Sequence, residues 1–89
     1  MQLPEEVTGE VHRRLRRVEG QVQGVERMLA DGREYREVVA QISAATKALE
    51  QAGFRLLAAG LAYCLEHPEE AAADGYAIDA VQKMFMKLA

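Results

Sequence analysis

From Arg33 to His67 the chain reads REYREVVAQISAATKALEQAGFRLLAAGLAYCLEH, without a proline. Its apolar positions Val38, Val39, Ile42, Ala45, Leu49, Ala52, Leu56, Leu57, Leu61 and Cys64 recur at three- and four-residue steps, the period of one helix face. A single helix of this length runs about 50 Å at about 1.5 Å per residue, more than the width of a compact domain of this size. One short chain cannot cover it.

Eighty-nine residues make one domain, with a surface-to-volume ratio that leaves an isolated monomer marginal. Oligomerisation is the expected remedy. Five aromatic residues, no tryptophan and many alanines suit thin, closely packed helices better than a sheet, so the expected class is all-α. Ala40, Ala44, Ala45, Ala48, Ala52, Ala58, Ala59 and Ala62 lie around the long helix, which allows neighbours to pack close on several sides. Part of that pattern is simple helix propensity.

Before the long helix, Pro4 with Glu5 and Glu6 is a helix-start signature. Val7, Val11, Leu15, Val18, Val22, Val25 and Leu29 form one stripe, closed by the turn pair Asp31-Gly32. After it, Pro68 with Glu69 and Glu70 starts another helix, whose apolar residues are Ala77, Ile78, Val81, Met84, Phe85 and Leu88. Asp74-Gly75 is read as a brief break at most. The expected subunit has three helices, at about 5–30, 34–66 and 69–88, in one domain over residues 1–89.

The net charge of −3 argues against a uniformly basic protein, yet the distribution is uneven. Four of the six residues from His12 to Arg17 are arginines, while the segment after Cys64 holds five acids and two lysines. At about 100° per residue, the first helix carries Arg13, Arg16, Gly20, Gln23, Gly24 and Arg27 opposite its apolar stripe, with Arg17 at the margin. Each glycine costs a helix about 1 kcal/mol relative to alanine, and a solvated face does not demand two of them. A phosphate backbone approaching between arginine forks fits such a gap, and so does a second protein chain. The nucleic-acid reading is preferred to a solvated charged face or a protein contact.

A single cysteine excludes an intrachain disulfide and suits a reducing cytoplasm. Neither a signal peptide nor a transmembrane helix is credible in the sequence. Serine, histidine and aspartate triads, phosphate loops and ligand clusters are not apparent, so an enzyme is not expected.

RLRRVEGQVQGVERML at 14–29, AQISAATKAL at 40–49 and a cysteine near the end of the long helix resemble the CsoR/RcnR family of bacterial transcriptional repressors. The resemblance implies an all-helical subunit, antiparallel dimers paired into tetramers, and operator DNA released on binding an inducer. It also implies that Arg13, Arg16, Arg17 and Lys47 contact DNA; Gln23 and Arg27, which the projection places on the same first-helix face, are DNA-binding candidates with them. The three sensor positions of copper-sensing members, cysteine, histidine and cysteine, fall here on Tyr35, Gly60 and Cys64. Copper(I) prefers thiolates and imidazoles, so copper sensing in the usual form is not expected and no metal ligand set is assigned. The nickel and cobalt pattern fails similarly, because Gln2 and Leu3 stand where histidine is needed near the N-terminus.

Tyr35 and Cys64 are about 44 Å apart along one helix, so only an antiparallel partner brings them together. Cys64 is either a packed apolar residue, the slightly preferred reading, or a reactive thiol. His67 is read as a helix-end residue, His12 as a surface one, and Gly60 as space for a small molecule between chains. The expected function is a DNA-binding repressor, homodimeric or homotetrameric and cytoplasmic, with an unidentified inducer. The alternative is a non-sensing module that assembles with another family member.

Overall fold

Two glycines with positive φ set the path of the chain. Gly32 (φ 67°) follows the first helix and Gly75 (φ 88°) follows the third. Around each, the helix end closes in the same way: the amides of Gly32 and Arg33 bond to Leu29 O and Met28 O, and those of Gly75 and Tyr76 to Ala72 O and Ala71 O. This paired closure is the Schellman motif, which needs a residue in the left-handed region and so favours glycine.

The computed structural model describes residues Met1–Ala89 as four helices: α1 (Glu5–Ala30), α2 (Tyr35–Glu66), α3 (Pro68–Ala73) and α4 (Ile78–Leu88). The all-α class expected from the sequence is what the chain adopts. The three-helix subunit is not: the single third helix expected over 69–88 is two helices. Asp74-Gly75 ends α3 in a turn, and α4 restarts at Ile78 after the extended residue Ala77 (φ −62°, ψ 157°). Gly75 supplies the left-handed residue that the closing motif needs, and a glycine weakens a helix continued through it.

α1 and α2 form an antiparallel hairpin with a seven-residue seam. Val11, Val18 and Val25 are buried on α1, and Val38, Ala45 and Ala52 on α2. Residues at this interval stay on one side of two slowly supercoiling helices. The small alanines let the axes approach, and the valines fill the gap. Across the seam Glu10 Oε2 lies 2.7 Å from Arg55 Nε.

α4 packs back on the C-terminal half of α2. Phe85 sits 5.3 Å from Phe54 between ring centroids, and Val81 joins Cys64 and Ala71 in a small buried cluster. At the far end Leu88 lies against Gly53, where an added Cβ would come within 2.5 Å of Leu88 Cδ2. Gly53 thus marks a close approach of helix to helix.

The molecule is a slab of 54 × 24 × 14 Å with only nine buried residues. Its surface, 6735 Å², exceeds the roughly 5,200 Å² that a folded monomer of this mass exposes. Its radius of gyration, 16.9 Å, compares with about 12 Å for a compact chain of this length. The core is a seam, not a closed centre.

Candidate functional site

The arginine face lies on α1, and the buried valines explain its position. With Val11, Val18 and Val25 turned toward α2, a projection at about 100° per residue puts Arg13, Arg16, Gly20, Gln23 and Arg27 on the side facing away. All five are exposed, as is Arg17. Arg13 and Arg27 are separated by about 21 Å along the axis. Gly20 has open space where a side chain would stand, and at Gly24 only the Arg27 guanidinium, 3.8 Å away, comes near. The two glycines make a shallow gap in a row of guanidinium groups.

Charge pairing sorts these arginines. Glu10 draws off Arg14, at 3.6 Å, and Arg55. Arg33 pairs with Glu37 one turn away. Arg13, Arg16, Arg17 and Arg27 have no carboxylate partner. Their charge is uncompensated and faces solvent, the state expected of groups that bind an external anion. Glu10, Arg13, Arg14 and Arg17 also line one polar recess at the start of the patch.

Lys47 is exposed and unpaired as well, but it does not join the arginines within one chain. It projects from the side of α2 opposite Val38, Ala45 and Ala52, whereas the arginines project from the side of α1 opposite α2. The two groups occupy opposite edges of the hairpin.

The second candidate region is at the C-terminal end of α2. Cys64 is 4% exposed, and its thiol donates to Tyr76 O at 3.2 Å. Met1, Tyr63 and Tyr76 pack around the Cys64, Ala71 and Val81 cluster. The Tyr63 hydroxyl is pushed above the ordinary phenol range by desolvation first and then by the nearby Glu70 and Asp74 carboxylates, both of which disfavour a phenolate. Gly60 stands one turn before Cys64 and faces the Met1 thioether. Tyr35 is at the other end of α2, 78% exposed. The structure thus brings Gly60 and Cys64 together and leaves Tyr35 apart.

Two participants escaped the sequence reading. The Glu10 and Arg14 pair has a legible signal, a carboxylate four residues before an arginine. The packing of Met1 on the Cys64 cluster has none, because it joins positions more than sixty residues apart.

Comparison with known proteins bears on the family. The chain is similar to the copper-sensing transcriptional repressor RicR of Mycobacterium tuberculosis (strain ATCC 25618 / H37Rv), with 45% identity over 53 residues. That match covers 60% of this chain and 55% of the relative, so the chain spans about half of the relative's length. No solved structure matches the chain. The model of a family described as metal-sensitive transcriptional repressors matches residues 8–87. That span takes in the arginine face, the α1–α2 hairpin, Cys64 and α4 together, and the chain belongs to this family of repressors, which are not enzymes.

Proposed function

We propose that the protein is a DNA-binding transcriptional repressor that acts as a homo-oligomer and uses the outer face of α1 on operator phosphates. The observation that carries this reading is the row of exposed, unpaired Arg13, Arg16, Arg17 and Arg27 around the Gly20 and Gly24 gap. Guanidinium forks donate to phosphate oxygens, and a helix without side chains at two positions admits a backbone strand closely. Gln23 in the same row adds a neutral donor and acceptor. Lys47 contributes once a second copy brings another hairpin alongside.

Assembly is supported by a second heptad set. Leu15, Val22 and Leu29 on α1, with Tyr35, Ile42, Leu49 and Leu56 on α2, are large apolar side chains left exposed at seven-residue intervals. Val22, Ile42 and Leu49 meet along one groove over the α1–α2 seam. Two hairpins laid face to face cover both grooves and make a four-helix bundle. Antiparallel pairing also places Tyr35 of one copy at the Gly60 and Cys64 end of the other. A further apolar groove between α2 and α4, lined by Leu57, Leu61, Val81 and Phe85, is available to a tetramer.

The family description implies a metal as inducer. The three positions that the resemblance assigns to it supply one thiol, one phenol and, at Gly60, no donor, a set that does not suit copper(I). The thiol also already donates to Tyr76 O. The inducer of this repressor is therefore not assigned to a metal at these positions.

The test is fluorescence anisotropy on the DNA upstream of the protein's own gene, over a salt series. Specific binding is expected, with affinity falling as salt rises because each neutralised phosphate releases counterions, a slope of about −0.9 per phosphate on B-DNA. Arg16→Ala is expected to weaken binding to all sequences and flatten the slope by about one phosphate per bound copy. Equal binding to unrelated DNA at physiological salt overturns the reading. Repeating the titration with copper(I), zinc, nickel, formaldehyde and a polysulfide, in wild type and Cys64→Ala, identifies what releases the DNA.

A further inference from the structure

We infer that the N-terminal residues Met1–Pro4 form a strap that closes the Cys64 cluster and ties it to the first turn of α1. The inference stands on geometry and does not depend on the DNA reading. The Met1 side chain is only 7% exposed. It packs on the cluster of Cys64, Ala71 and Val81, and its thioether lies over Gly60. Its backbone nitrogen donates to the Asp74 carboxylate, on the cap residue of α3. The strap therefore touches α2 at Gly60 and the α3–α4 turn at Asp74.

A small residue at position 60 leaves the seat open. An added Cβ there would stand 3.8 Å from Met1 Sδ, an ordinary contact. A longer, branched side chain fills the same space and excludes the thioether.

At its other end the strap runs directly into α1. Pro4 O accepts from the amides of Val7 and Thr8, the first hydrogen bonds of the helix that carries Arg13, Arg16 and Arg17. Closing the strap orders that first turn, and lifting it frays the turn and opens a way to the thiol. The state of the Cys64 cluster is in this way felt at the start of the arginine helix. An exposed ion pair alone is weak, so the strap is held mainly by burial of the methionine side chain and opens by local unfolding without loss of the fold.

Cys64 is the chain's one cysteine, so its alkylation by iodoacetamide in the native protein reports the strap. Gly60→Ala keeps the seat and is expected to react at the wild-type rate. Gly60→Leu evicts Met1 and is expected to react about tenfold faster, with faster hydrogen exchange at the Val7 and Thr8 amides. Asp74→Asn, which leaves the packing intact and weakens the tether, is expected to react faster by a smaller factor. Circular dichroism and sedimentation establish that each variant keeps its helices and assembly. Where Gly60→Leu fails that check, Asp74→Asn decides. Wild-type alkylation and exchange rates in the folded variants overturn the strap.

Discussion

A glycine in a helix is a local weakness, and α1 keeps one at position 20. Gly20 has nothing near it and lies on an exposed helix face. Gly20→Ala is expected to raise stability by about 1 kcal/mol, read by urea unfolding, while lowering affinity for operator DNA in the anisotropy titration. A rise in both quantities would show that no phosphate backbone approaches there. Tyr63 provides a pH test. Its hydroxyl is held above the ordinary value of 10.0 by desolvation and by the Glu70 and Asp74 carboxylates. As pH climbs past 10, the unfolded chain ionises this phenol first and binds fewer protons than the folded one, so stability falls with rising pH; below that window the group contributes no slope. The melting temperature of wild type is expected to drop more steeply above pH 10 than that of Tyr63→Phe.

At the scale of elements, the ends of helices were legible and their neighbours were not. Pro4 with Glu5 and Glu6, Asp31-Gly32, and Pro68 each act within one turn of chain, so α1 and α2 begin and end within a residue of where the sequence put them. Asp74-Gly75 carried the same kind of signal, but the apolar residues beyond it continue a helical spacing. Only the backbone at Gly75 decides for a turn. Gly75→Ala forces a Cβ into the left-handed region and is expected to cost about 1–2 kcal/mol. It should also accelerate Cys64 alkylation, because Tyr76, whose carbonyl accepts from the thiol, is the residue that closes the same motif. A wild-type unfolding midpoint in urea would contradict this account of the turn.

For the whole molecule, the excess surface and the second heptad set support the proposed assembly. The unfolding midpoint of wild type is expected to rise with protein concentration, since anything that binds only the folded chain stabilises it by mass action. Ile42→Glu, which puts a charge in the groove shared by Val22 and Leu49, is expected to sediment as a monomer and to lose the concentration dependence. What the sequence by itself determined is everything carried by short-range chemistry and period: the all-α class, the long central helix, its caps, and the arginine row with its two glycines. These follow from the 3.6-residue repeat and from turn residues, which act over a few positions. The sorting of the arginines into paired and unpaired, the separation of Lys47 from them, the seat of Leu88 on Gly53 and the folding of Met1 over Gly60 were decided only by tertiary structure. Each depends on which side chains distant segments bring within a few ångströms, and that is settled by packing across the seam, not by any local pattern.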